Sequence, residues 1–299
     1  MALSLPASLR DRSVRLVVWL VLVANIGITV TGALVRLTAS GLGCPTWPLC
    51  TAESLVTTPE MGIHGIIEFG NRLLTFVLLA VTVALLVALW RLRKDRRDVW
   101  RFAIVLLLGI PLQAVVGGIS VWMKLNPYVV GLHFVLSLVM TVIATILVIR
   151  VHDVDVVSRL RDVPIVSWLL ASTTTVTLLV GILTTGSGPH AGDAAAPRNG
   201  LEPEFIQHVH SWPAYLSIAL VNVAWFVGPV VARRWMAALL FSFVAQAVVG
   251  VIQANTGLPV PLVAIHVLLA MTTTAVATSA IYRSATSGSI ATARNNAVK

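Results

Sequence analysis

The sequence predicts an all-α integral membrane fold, with eight transmembrane helices arranged as two pseudo-symmetric four-helix bundles. Three observations carry this. Hydrophobic residues make up 57% of the 299-residue chain and charged residues only 11%, with a mean hydropathy of +0.91. A soluble domain carries about 25% charge. Apolar runs long enough to cross a hydrocarbon core of about 30 Å recur along the whole length. The chain also repeats itself, with QAVVG at residues 113–117 and again at 246–250.

Apolar runs place the spans near 14–36, 62–90, 102–123, 129–149, 164–186, 205–231, 236–254 and 260–282. The opening MALSLPASLRDRSVR is a short basic lead into span 1. No A-x-A-like site follows that span, so it reads as a retained helix and not a cleaved signal.

Orientation follows from Lys and Arg. One set of connections holds Arg10, Arg12 and Arg15, six basic residues in RLRKDRRDVWR at 91–101, Arg150, Arg159 and Arg161, a 232–235 turn with Arg233 and Arg234, and a tail with Arg283, Arg294 and Lys299. The alternate loops hold none in 37–61, Lys124, Arg198, and none in 255–259. The positive-inside rule then makes both termini cytoplasmic and the 37–61 loop extracytoplasmic in a multi-pass protein of the cell (plasma) membrane. The net charge of +9 lies between apolar runs and forms no basic folded surface, so lipid is the implied surroundings and nucleic acid is excluded.

That outer loop holds GLGCPTWPLC and both cysteines of the chain. An extracytoplasmic loop is an oxidising place, so Cys44 and Cys50 are expected to form a disulfide. Closing so short a loop removes only about 2 kcal/mol of unfolded-state entropy. A bridge of that size shapes the loop locally or responds to redox; it is too weak to support the bundle.

The repeat extends beyond QAVVG. Gln113 precedes His133, and Gln246 precedes His266, by the same twenty residues, and LTASG at 37–41 resembles LTTGSG at 183–188. Spans 1–4, within residues 1–150, and spans 5–8, within 151–299, are therefore expected to be two copies of one unit. Both start inside, so the axis relating them lies along the membrane normal.

Ionisable groups inside spans are costly and point to function. Of twelve acidic residues only Glu68 falls inside a span; the rest are in loops or at ends. Around it stand His64, Asn71 and Arg72 in span 2, His133 in span 4, His208 and His210 in span 6, and His266 in span 8. All four even-numbered spans carry a histidine one to two turns below the outer surface. Imidazoles paired by bundle, 64 with 133 and 210 with 266, suit axial ligation of haem iron. Zinc needs more donors, and none is available. His208 and His210 point to different faces, and spacing alone does not choose between them. His190 and His152 are expected in loops, and Gln113 and Gln246 in interhelical hydrogen bonds. Arg36, at the outer end of span 1, is the better partner for haem propionates; Arg72 either does the same or snorkels. Aligning IIEFGNR with FIQHVHS sets Gln207 opposite Glu68. An acid in one site only suggests that bundle 1 reacts and bundle 2 supports it.

The motifs GALVRLTASGLGCPTWPLC, IIEFGNRL, QAVVGGISV, GLHFVLSL, IQHVHSWPAY and VAIHVLLA, in this order, resemble the haem A synthases of cytochrome oxidase assembly. The resemblance covers about residues 14–282. It implies an oxidoreductase that converts the C8 methyl of haem O to the formyl of haem A by successive oxygen-dependent hydroxylations. It implies a haem b cofactor in the second bundle ligated by His210 and His266, and haem O in the first with His133 and the acid Glu68. Cys44 and Cys50 match the outer pair of one class of the family. One departure stands out: the family's Glu-x-x-His reads here Glu68-Phe69-Gly70-Asn71. Either His64 replaces the missing ligand, or the substrate iron is held by His133 alone.

The partners implied are haem O, molecular oxygen, an electron donor that no motif identifies, and the haem O synthase (protohaem farnesyltransferase) that makes the substrate. Two other classes compete. A di-haem b electron carrier explains the histidines but not the lone Glu68. A transporter of parallel repeats predicts a colourless protein, against the sparse charge inside the spans.

Overall fold

A computed structural model describes residues 6–153 and 163–285. The described residues form eight long helices and no strand: α1 (Arg12–Leu37), α2 (Gly62–Leu89), α3 (Arg97–Trp122), α4 (Pro127–His152), α5 (Ile165–Ser187), α6 (Pro203–Val227), α7 (Val230–Asn255) and α8 (Val260–Ser284). Seven of them are long and apolar enough to cross a membrane. The eighth, α6, is 25 residues long, and Glu204, His208 and His210 lower its hydropathy. The chain is a multi-pass membrane protein.

Sequence punctuation sets the helix ends. Asn126 accepts the Tyr128 N–H at 3.0 Å with Pro127 in the first helical position, and Glu202 accepts the N–H groups of Glu204 and Phe205 ahead of α6. Both arrangements satisfy N–H groups that a helix start leaves open. One expected boundary is corrected. Span 6 ends at Val227 and α7 starts at Val230, so Arg233 and Arg234 lie within the first turns of α7 and not in a 232–235 turn. Gly228 and Pro229 are both extended, with ψ of 166° and 149°, so the helix breaks there while the apolar run reads straight through. The basic 91–101 stretch is also partly helical, because α3 begins at Arg97.

Two large apolar cores result, with a small third cluster of Leu125, Ala191 and Ala196 joining the halves. One gathers Val14, Val18, Leu85, Leu106 and Leu147 from the first four helices; the other gathers Leu170, Val221, Met236, Leu239 and Ala280 from the last four. No residue belongs to both. Helix α1 packs on α2 and α4, and α3 on α2 and α4; α6 packs on α5 and α7, and α8 on α7. The two groups meet where α4 and α1 lie against α8 and where α4 lies against α5.

Polar contacts tie the groups at both ends. Arg36 Nη2 donates to the Thr185 carbonyl at 2.7 Å, and the Gly41 N–H donates to the Gly192 carbonyl at 2.8 Å. At the opposite end, Arg283 Nη2 lies 2.6 Å from Asp153 Oδ2.

Candidate functional site

His133 and His266 each lie six residues into their helices, after Pro127 and Val260, and His210 lies seven residues after Pro203. At about 1.5 Å per residue the three imidazoles reach a similar depth of about 10 Å.

In the last four helices, His210 and His266 face each other with ring centroids 6.4 Å apart and planes at 75°. His210 Nδ1 lies 2.9 Å from the Thr177 carbonyl of α5. A carbonyl only accepts, so Nδ1 carries the proton and the Nε2 lone pair is left free. His266 Nδ1 is buried without a hydrogen-bond partner, as is Gln246 Oε1. His208, in contrast, is exposed. The structure therefore separates two histidines that spacing alone could not.

Each inward imidazole rests on a glycine of the preceding helix. A Cβ added at Gly181 would come within 2.8 Å of the His210 ring, one at Gly250 within 3.4 Å of His266, and one at Gly117 within 3.4 Å of His133. Any larger residue would fill these cradles. Metal–imidazole bonds are about 2 Å long, so two such bonds and the inner half of each ring fit the His210–His266 separation. The histidines thus fit an axially ligated haem. Among the described residues no three His, Cys, Asp or Glu side chains converge, so a tetrahedral zinc site is not built here.

The first four helices have a different composition at the equivalent place. The Gln113 amide sits 2.9 Å from both His133 Nδ1 and the Ser137 hydroxyl. Asn71 Oδ1 lies 2.7 Å from Thr31 Oγ1 of α1. His64 is exposed, and its Nδ1 lies 2.9 Å from the Ser40 hydroxyl in the outer loop. Among the described residues no ring contact joins His64 to His133.

Glu68 is buried beneath that loop. Its Oε2 accepts the Cys44 backbone N–H at 2.7 Å, and its Oε1 pairs with Arg72 Nη2 at 2.6 Å. Arg72 also donates to the carbonyls of Cys44, Thr46 and Leu49, each at 3.1 Å. Arg72 therefore neither snorkels nor faces outward for a propionate: a buried carboxylate and three loop carbonyls take up its donors. Cys44 and Cys50 are joined in a disulfide and fully buried. The Trp47 ring covers Gly118 of α3, where a Cβ would clash at 2.3 Å, and the Trp47 carbonyl accepts Trp122 Nε1–H at 3.1 Å. The loop is a folded cap over the start of α2 and the end of α3.

The remaining polar residues find ordinary partners. His190 Nε2 lies 2.8 Å from the Leu258 carbonyl, His152 Nε2 accepts Trp19 Nε1–H at 3.3 Å, and Gln207 is exposed. Sequence reasoning overlooked Thr177, Thr31, Ser40 and the cradle glycines. Of these only Gly117 and Gly250 left a signal, as the last letters of the two QAVVG copies.

Long apolar helices, a folded 37–61 loop and facing histidines on glycine cradles define a polytopic membrane protein. Comparison with known proteins makes this specific. A family model described as cytochrome oxidase assembly protein, COX15-CtaA, matches residues 15–278, and the chain belongs to that family. It is 26% identical over 258 residues to a haem A synthase of Staphylococcus epidermidis, covering 80% of this chain and 83% of that one. It is 29% identical over 241 residues to a haem A synthase of Listeria monocytogenes, covering 76% and 78% respectively. A shorter match, 33% over 125 residues, covers 42% of this chain and 41% of the haem A synthase of Listeria welshimeri.

Proposed function

We propose that this chain is a haem A synthase, an oxidoreductase that takes haem O and oxygen and turns the C8 methyl of the haem into a formyl group. The facing pair His210 and His266, on the Gly181 and Gly250 cradles, carries this reading. It supplies the two-nitrogen, flat-sided site that a haem requires, in a chain that belongs to a cytochrome oxidase assembly family.

On this reading residues 1–150 and 151–299 are the two bundles of one duplicated unit, supported by the repeated QAVVG and by the two separate cores. Haem b is held in the second bundle by His210 and His266 and supplies one-electron chemistry there when bound. Haem O is held as substrate in the first by His133, beside Asn71, with Arg36 the cation nearest the outer end for a propionate. Thr177 fixes His210 and leaves its Nε2 lone pair free, and Gln113 lies against the His133 ring. Glu68 is the acid of the first bundle and the group that accepts or returns protons there. Its pairing with Arg72 and the Cys44 N–H holds it in place. The folded loop excludes water above it. Each of two successive hydroxylations takes one oxygen molecule, two electrons and two protons, puts one oxygen atom on the C8 carbon and releases one water; the resulting gem-diol loses a further water to give the formyl. The electrons come from a donor outside the chain, and the substrate from the haem O synthase. The basic connections support a topology with both termini in the cytoplasm and the disulfide loop outside.

The test is mass analysis of haems extracted from the full-length protein made in cells that also make haem O. A hydroxylated or formylated haem O derivative beside haem b is the expected result. Two haem b per chain and no oxidised derivative would establish an electron carrier instead.

A further inference from the structure

The three glycine cradles have a fourth counterpart with a different occupant. On α1 and α2, a Cβ added at Gly32 would lie 3.6 Å from Asn71 Nδ2. The arrangement of Gly181 with His210 is thus repeated, but with an amide in place of the imidazole. Sequence alignment reaches the same pairing independently, because setting IIEFGNR against FIQHVHS puts Asn71 opposite His210. Asn71, and not His64, therefore occupies the fourth ligand position. His64 stands seven residues nearer the outer surface, exposed and bonded to Ser40 of the loop.

An amide is a poor ligand for haem iron. Its nitrogen has no available lone pair, and the Asn71 oxygen is already engaged by the Thr31 hydroxyl at 2.7 Å. What remains free on Asn71 is the NH2 group, a donor only.

We infer that the haem in the first bundle is held by His133 alone, and that Asn71 faces its open side as a hydrogen-bond donor for a small ligand such as oxygen. This rests on the reading of the first bundle as a haem site. The two halves then differ in a way that suits a division of labour. Two imidazoles close the iron in the second bundle and leave it only electron transfer. One imidazole and one donor amide leave a position open in the first, and distal donors are what bias a haem towards binding and activating oxygen. Thr31 is the positioning residue that holds the amide oxygen, with the nitrogen lying towards Gly32.

The experiment is carbon monoxide titration of the reduced, full-length protein loaded with both haems, alongside electron paramagnetic resonance of its ferric form. One haem per chain is expected to bind carbon monoxide and to give a high-spin ferric signal, with the other inert and low-spin. Asn71→His should supply the missing ligand, weakening carbon monoxide binding at least 10-fold and converting the high-spin signal to low-spin. His64→Ala should leave both readouts as they were. If Asn71→His fails to accumulate, Asn71→Leu should keep a reactive haem that releases carbon monoxide several-fold faster. Two low-spin, inert haems in the unaltered protein, one of them opened by His64→Ala, would overturn the inference while leaving the synthase reading intact. A single haem per chain under substrate loading, lost in His210→Ala, would remove the first-bundle site itself and the inference with it.

Discussion

The backbone N–H of Cys44 donates to Glu68 at 2.7 Å, so the buried acid of α2 is also the anchor of the disulfide loop. The far oxygen of the same carboxylate pairs with Arg72, which reaches three carbonyls of that loop. One ion pair thus serves the cap and the interior together, and its two members should fail differently.

Replacing Arg72 with Leu leaves Glu68 buried without its cation and leaves three loop carbonyls short of a donor. Removing one partner of a buried pair costs about 3–5 kcal/mol, and the partial exposure of Arg72 puts this case at or below the lower end. Thermal unfolding of the detergent-solubilised protein should show a markedly lower midpoint. An unchanged midpoint would mean that the loop holds without Arg72.

Glu68→Gln preserves the size of the side chain and an oxygen for the Cys44 N–H, but not the charge. The protein should fold and keep haem b, while the rate of haem O oxidation falls about 10²–10⁴-fold, the usual loss on removing a proton-transfer group. Single-turnover conversion measured by haem mass analysis decides it. Undiminished turnover would reduce Glu68 to a loop anchor.

Cys44→Ser with Cys50→Ser removes a bridge worth about 2 kcal/mol. Because Glu68 and Arg72 grip the same loop from below, the double variant should unfold at a slightly lower temperature and still convert haem O. Loss of conversion with the stability retained would assign the bridge a redox role.

Gly181→Ala drives a methyl to within 2.8 Å of the His210 ring. The ring must leave its cradle, so the purified protein should lose most of its low-spin haem b signal. Gly27→Ala, in a span but with nothing within 4 Å of the added carbon, is the control and should be silent. Equal effects from both would show that any added methyl disturbs these helices.

Gln246→Leu should leave haem b retention unchanged, because Gln246 is not a hydrogen-bond partner of His266. Gln246 Oε1 and His266 Nδ1 are both buried and unpaired, at the repeat positions where Gln113 meets His133. Dilution of the solubilised protein with absorbance followed over time gives the retention directly.

The sequence made the helices, their number and the matched histidines legible, because lipid demands long apolar runs and makes each polar residue within them conspicuous. It misplaced the α6–α7 boundary, since hydropathy averages across Gly228-Pro229 while the backbone does not. Arg72 illustrates a deeper limit. Its four-residue spacing from Glu68 is a visible helix pair, but the loop carbonyls that claim its other donors lie some two dozen residues away. That Asn71, and not His64, lies towards Gly32 is a register between two helices that no single helix encodes.

The two apolar cores share no residue. The contacts of Asn71 stay within the first group, at Thr31 and Gly32 of α1, so an exchange of side chain at that position leaves the packing of the second core as it was.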